Sequence, residues 1–146
     1  MKRFFLLLLT LFLFIGCDAP ALSGNVKKSY FTNGQLRSKF IMSDKSGKNG
    51  ILEKYGYDGK MTSSVKIQNG VKVGIERWYD AKGRIIREVP YQNGEKHGLQ
   101  KDFYPNGDIM ASIEFRHNIA NGKATTYRQD GKIYKQVTFR DGKIIR

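Results

Sequence analysis

The chain has 146 residues, a formal net charge of +13 at pH 7, 16 glycines, two histidines and a single cysteine. One cysteine excludes an internal disulfide. The sequence also lacks a metal-spaced Cys/His cluster, a Ser/His/Asp set and a phosphate-binding glycine loop. We therefore expect a protein that is not an enzyme and that binds neither a cofactor nor a metal.

Residues 1–16 have the pattern of a signal peptide. Lys2 and Arg3 supply the positive end, and Phe4 to Ile15 form a 12-residue apolar stretch. As a helix this stretch would be about 18 Å long, whereas the hydrocarbon core of a bilayer is about 30 Å thick. The segment therefore predicts export rather than a membrane span.

The signal segment is followed directly by Cys17. The pair Gly16-Cys17 resembles the bacterial lipobox, in which the cysteine is lipidated, with palmitate as an attached acyl chain, and becomes the new N-terminus. The resemblance implies a lipid-anchored protein of the bacterial cell envelope, with the inner or outer membrane left open. Residues 17–24 would then be the lipidated cysteine and a short tether. The alternative is an ordinary secretory signal with a stray cysteine.

From residue 25 onward, glycines recur with a period of 24 residues. The first series is Gly50, Gly74, Gly98 and Gly122. The second is Gly34, Gly59, Gly83, Gly107 and Gly131, with a first interval of 25. The third is Gly70, Gly94, Asn118 and Gly142. A fixed period of this length indicates a repeat architecture.

Each repeat is predicted to be one β-hairpin. Asn-Gly occurs six times and Asp-Gly three times, always between apolar runs. Because Asn and Asp tolerate the left-handed backbone and Gly adopts it freely, these pairs favour hairpin turns. We expect an all-β fold, an elongated and twisted antiparallel meander of ten strands. The five units lie near 25–49, 50–73, 74–97, 98–121 and 122–146 within a domain of residues 25–146.

Apolar residues alternate along the predicted strands, as they do on a sheet with one apolar face. On the longer strands they include Val65 and Val89, six residues after the second glycine series. On the shorter strands they include Ile51 and Ile75, one residue after the first series. We interpret both sets as one face. Trp78 is expected on the polar face, as an exposed candidate contact.

The phrase from Gly98 to Gly107, preceded by Tyr91-Gln92-Asn93-Gly94, resembles the bacterial variant of the MORN repeat. The first unit departs from it, because Asn25 replaces the glycine and the loop from Asp44 to Asn49 carries an extra residue. The same unit occurs in YwqK-type antitoxin proteins. The resemblance implies hairpin repeats over the whole of residues 25–146 and, as a function, neutralisation of a toxin.

The excess of basic residues indicates which classes of partner fit this chain. Without Lys2 and Arg3, 24 basic residues face 13 acidic ones, a net charge of +11. Export makes nucleic acid a poor partner, so anionic lipid, lipopolysaccharide or an acidic protein is the better candidate. The alternative is a solvated face that keeps the sheet soluble. The tether reaches at most about 28 Å, which places four candidate contacts nearest the membrane: Lys27, Lys28, Arg37 and Lys39.

Two functions follow as hypotheses. The first is a membrane-anchored lipoprotein that serves as a non-enzymatic protein-binding or scaffold module through its repeat sheet. The alternative is an antitoxin or immunity-type protein of a toxin–antitoxin system, which the resemblance implies.

Overall fold

A computed structural model describes residues 25–145. These residues form one open antiparallel sheet of twelve strands, which confirms the all-β repeat fold. The signal segment, Cys17 and the tether lie outside this range. The strands are β1 Val26–Tyr30, β2 Leu36–Met42, β3 Gly50–Tyr55, β4 Met61–Gln68, β5 Val71–Tyr79, β6 Ile85–Gln92, β7 Glu95–Lys96, β8 Gly98–Phe103, β9 Ile109–Arg116, β10 Ile119–Tyr127, β11 Ile133–Arg140 and β12 Lys143–Ile145. Neighbours in sequence pair in order, except that the two-residue β7 pairs with β6 beside β8.

Two kinds of turn alternate between the strands. The turn between β4 and β5 has positive φ at both central residues, +52° at Asn69 and +81° at Gly70, as a two-residue type I′ turn requires. The turn between β5 and β6 ends on a left-handed glycine, and the Gly83 N–H donates to the Asp80 carbonyl at 2.9 Å. This alternation of two turn types produces the 24-residue period.

Each hairpin also contains a β-bulge next to its glycine turn. Tyr55 pairs with Met61, but Lys54 pairs with Ser63, so Thr62 is an extra residue on its strand. The same irregularity recurs in all five units, with extra residues Arg37, Thr62, Ile86, Met110 and Tyr134. The bulge is therefore a built-in part of the repeat.

The bulge shows that the predicted one-sided sheet is wrong. Without the extra residue, Ile51 would oppose Val65. In the structure Ile51 opposes Lys66, and Leu52 opposes Val65. Because successive side chains point to opposite faces, this shift of one residue carries Ile51 to the face opposite Val65. Apolar residues consequently occupy both faces.

We call the face that carries Val65 the core face. Val65 and Val89 are each 3 % exposed there, and Met42 is also buried. Three buried polar side chains share it: Ser63 lies two residues before Val65, Glu76 opposes Val89, and Gln100 opposes Ile113. The other side, which carries Ile51, we call the opposite face.

The first glycine series does not mark one kind of position: β3 begins at Gly50 and β8 at Gly98, whereas β5 runs through Gly74 and β10 through Gly122. The count rises from ten strands to twelve because the strand that contains Gly98 is interrupted at His97 and because β12 is added. Gly50 is needed for close approach, since a Cβ there would collide with the carbonyl oxygen of Ile41.

Candidate binding surface

Trp78 lies on the core face, which corrects the expectation of the polar face. It opposes Ser63 on one side and Arg87 on the other. Strand alternation puts it on the same side as Glu76, two residues earlier. The indole is 38 % exposed, and its cross-strand neighbours are polar. Trp78 is therefore an exposed aromatic at the polar margin of the core face.

The four basic residues predicted nearest the membrane do not form one patch. Lys27 opposes Phe40 on the core face, whereas Lys28 opposes Lys39 on the opposite face. The Nζ of Lys39 lies 3.4 Å from Oε2 of Glu53, which offsets part of its charge. Arg37 is the extra residue of the first bulge. Both faces of the first hairpin thus carry basic groups.

An apolar row crosses the opposite face, where sequence reasoning did not place it. Its members oppose one another directly on successive strands: Val26, Ile41, Ile51, Lys66 and Val73. Ile75, two residues beyond Val73 and opposite Pro90, continues the row. Ile51 and Ile75 are 43 % and 44 % exposed. We call these six residues, from Val26 to Ile75, the exposed row.

A groove of about 840 Å³ follows the exposed row between β2 and β5. Its lining includes Ile51, Val73, Ile75 and Tyr79, together with Lys66. This volume lies within the range of sites that hold small ligands. The groove therefore offers mainly apolar walls around Lys66, with Asp44 and Arg77 as the other charged residues of its lining.

On the opposite face, the Arg77 side chain is paired with a carboxylate, but the Lys66 side chain has no such partner within residues 25–145. The Arg77 Nε donates to Oε1 of Glu88 at 3.0 Å. Lys66, by contrast, forms no ion pair with the residues from 25 to 145, and its two cross-strand neighbours, Ile51 and Val73, are apolar. An anion that reached Lys66 would meet an uncompensated positive charge.

Two opposite charges at the centre of the core face satisfy each other. The Lys72 Nζ donates to both carboxylate oxygens of Glu76, at 2.9 Å and 2.8 Å, and lies 4.7 Å from the ring centroid of Tyr91. Burial lowers the pKa of Lys72, but the hydrogen bond and charge of Glu76 outweigh it and raise that pKa overall. One period later, Lys96 lies over the Phe115 ring at 5.2 Å. The Lys72 and Glu76 charges thus offset each other, whereas the Lys96 ammonium is covered by the aromatic ring alone and has no ion pair within residues 25–145.

The two histidines lie close together near a type I′ turn. The rings of His97 and His117 are 5.2 Å apart, and Nδ1 of His117 lies 2.7 Å from Oε2 of Glu95. No group of three or more His, Cys, Asp or Glu residues in the described part of the chain is arranged to hold a metal ion. Within that same part, no helix has the length and apolar character needed to cross a membrane.

Comparison with known families identifies the repeat. Residues 72–93, 96–117 and 120–141 each match the MORN repeat variant. The three segments begin 24 residues apart, and each ends on the first positive-φ residue of a type I′ turn: Asn93, His117 and Asp141. No curated protein matches the chain at a significant level.

Among solved structures, the chain is similar to parts of TarM. A mutant of S. aureus TarM in complex with fondaparinux, α-GlcNAc-glycerol and UDP shares 12 % identity with a TM-score of 0.40, covering 75 % of this chain and 19 % of that one. A second TarM structure shares 13 % identity with a TM-score of 0.41, covering 77 % and 20 %. The chain thus spans about a fifth of the length of these structures. The sheet itself contains three tandem MORN repeat variants, within a series of five hairpins of the same construction.

Proposed function

We propose that this chain is a membrane-anchored lipoprotein whose repeat sheet binds another protein without catalysis. The exposed row is the main support, because a continuous apolar patch on a protein surface marks a contact site more often than chance exposure does. Trp78 adds a second candidate contact on the core face, and exposed tryptophans are enriched among the residues that dominate interfaces.

The anchor rests on the sequence Gly16-Cys17, and one substitution tests it. In cells, the Cys17→Ala precursor should remain uncleaved by the lipoprotein signal peptidase and should take up no labelled acyl chain. The unaltered chain should be cleaved and should take up the label. Normal maturation and membrane retention of the variant would contradict the proposal.

Site-specific photo-crosslinking in intact cells tests protein binding. A photoreactive residue placed at Ile51 probes the opposite face, one at Trp78 probes the core face, and one at Lys82, in an exposed turn, is the matched control. We expect a discrete adduct with one protein from at least one face and none from Lys82. The absence of a protein adduct from both faces would overturn the binding function.

An antitoxin or immunity-type role is the second candidate, supported by the resemblance of the repeat to YwqK-type proteins. It predicts a toxin gene beside this one. Deletion should then be lethal or should impair growth, and removal of the neighbouring gene should restore it. Viable deletion with no such neighbour would argue against this role.

The basic surplus is proposed to add weak affinity for anionic lipid or lipopolysaccharide, secondary to the anchor. Each Lys or Arg close to an anionic surface contributes about 1 kcal/mol. A single acyl chain holds a protein to a membrane only marginally, so this contribution adds to residence there.

A further inference from the structure

We infer that the exposed row binds an acidic, apolar segment of a partner protein, with a carboxylate placed at Lys66. This inference rests on the protein-binding function proposed above, and it specifies the face, the chemistry of the ligand and the residue that recognises its charge.

The geometry of the row determines the pattern of the ligand. Five strands at about 4.8 Å spacing make a row about 19 Å long. Lys66 has Ile51 on one side and Val73 on the other, so apolar surface flanks the cation along the row. A complementary segment has an Asp or Glu with apolar side chains on both sides. Its apolar groups would cover surface that Ile51 and Ile75 now expose to water.

The charges on this face favour an acidic segment over a second copy of the chain. Lys39 and Arg77 already pair with Glu53 and Glu88, whereas Lys66 has no acidic partner within residues 25–145. Two copies packed through this face would bring two Lys66 ammonium groups and two strongly basic chains together. Like charges at an interface are costly, and a carboxylate from a different protein removes that cost.

The same face is poorly suited to insertion of the row into a bilayer. Glu53 lies on this face, two residues along β3 from Ile51 of the row. Glu88 also lies on it, two residues along β6 from Pro90, which opposes Ile75. For the row to enter hydrocarbon, these carboxylates and their partners Lys39 and Arg77 would have to leave water, which is costly. A narrow peptide segment can follow the row and place one carboxylate at Lys66.

Selection from a display library of random 12-residue peptides tests this inference, with the full-length chain held in a mild detergent. We expect the selected peptides to carry Asp or Glu flanked by apolar residues. Ile51→Ser combined with Ile75→Ser should weaken their binding at least tenfold. The exposed-site control Ile133→Ser, on β11, should leave binding unchanged.

The Lys66→Glu variant makes the test independent of folding, since an exposed strand residue is replaced by another charged one. It should release the acidic peptides and, in a fresh selection, enrich peptides with Lys or Arg at the same place. Lys60→Glu, in an exposed turn, is its matched control and should keep the acidic preference. Circular dichroism should show the same strand content in all variants.

Several outcomes would overturn the inference. Selected peptides without acidic enrichment, or unchanged preference in Lys66→Glu, would remove the role of Lys66. Binding to vesicles with 30 % phosphatidylglycerol that depends on Ile51 would identify a membrane site. A dimer in light scattering that Ile51→Ser dissociates would identify a second copy as the occupant. A protein adduct at Trp78 with no selected peptides at the row would preserve the proposed function and refute this inference alone.

Discussion

Lys72 and Glu76 form an ion pair on the core face, with the lysine Nζ 2.8 Å from Oε2, and the glutamate is 1 % exposed. One period earlier the position of Glu76 is held by Leu52, and one period later by Gln100. The repeat therefore accepts an apolar, an amide or a charged side chain at one buried place. A lysine stands four residues earlier in all three units, at Lys48, Lys72 and Lys96, and the charged case is the one in which it meets a carboxylate.

The first prediction concerns this pair. Glu76→Ala should lower the free energy of unfolding by about 3 kcal/mol, because it leaves Lys72 without its partner in a largely buried site. Lys72→Met with Glu76→Leu should be close to neutral, since the pair is replaced by apolar groups and Leu already occupies this position at residue 52. Chemical denaturation, monitored by circular dichroism, measures the free energy of unfolding of both variants.

The control is an exposed ion pair, in which the Lys132 Nζ lies 3.6 Å from Oδ2 of Asp130. Lys132→Met should change the free energy of unfolding by less than about 0.5 kcal/mol, as exposed pairs do. A double variant as unstable as Glu76→Ala would show that the site specifically requires the charges.

The second prediction is loss of stability at high pH. Burial, followed by the hydrogen bond to Glu53 at 2.7 Å, raises the pKa of Tyr55 to about 12. The folded state thus favours the neutral phenol. That stabilisation is complete below the unfolded pKa of about 10 and is lost as the pH rises through the folded value. Thermal unfolding should therefore shift to lower temperature between pH 10 and pH 12.

Tyr55→Phe tests the assignment, because it should remove part of this pH dependence while costing about 1 kcal/mol at neutral pH for the lost hydrogen bond. The raised pKa of Lys72 acts in the same direction, since its charged form is favoured by Glu76. An unfolding temperature that stays constant from pH 9 to pH 12 would contradict both assignments.

The third prediction is that alanine at Gly50 and at Gly74, two glycines of the first series, destabilises the sheet to different extents. A Cβ at Gly50 would meet the backbone of Ile41 and Met42, whereas a Cβ at Gly74 would meet no atom within 4 Å. Gly50→Ala should therefore destabilise by about 3 kcal/mol or more. Gly74→Ala should cost only about 1 kcal/mol, because the backbone there has φ +73°. Equal costs would show that backbone strain, and not close approach, explains the series.

The hairpins were predictable because their turns are local. Asn-Gly and Asp-Gly pairs indicate left-handed turn residues within a few positions, and the 24-residue period repeats that signal five times. Register was not predictable in the same way. The bulge at Thr62 has no distinctive sequence, yet it decides which face Ile51 occupies.

The exposed row was missed for this reason, although Ile51 and Ile75 were recognised as apolar residues of the shorter strands. The recurrence of Ile51 and Ile75 at one phase was visible, but the residue opposite each could be identified only once the bulge was known. The pair of Lys72 and Glu76 left a weaker signal, since residues four apart on a strand share a face. Burial of the glutamate depends on long-range packing that spacing does not report.

The final prediction concerns the basic first hairpin and anionic membranes. Residues 18–146, produced without the signal segment and Cys17, should bind anionic vesicles at low salt through Lys27, Lys28, Arg37 and Lys39, and should leave neutral vesicles unbound. Binding should disappear near physiological ionic strength, where the Debye length falls to about 8 Å.

Replacing these four residues by Gln should weaken vesicle binding at low salt at least tenfold, since each basic group near the surface contributes about 1 kcal/mol. The matched control replaces four basic residues of the last unit: Lys123, Lys132, Lys135 and Lys143. In the acylated mature chain, whose tether brings the first hairpin to the surface, this control should weaken retention on anionic vesicles less, because the charge removed is the same but lies farthest along the sheet from the tether. Equal losses in the two variants would show that net charge acts without regard to position, and equal binding to neutral and anionic vesicles would leave these residues a role in solubility alone.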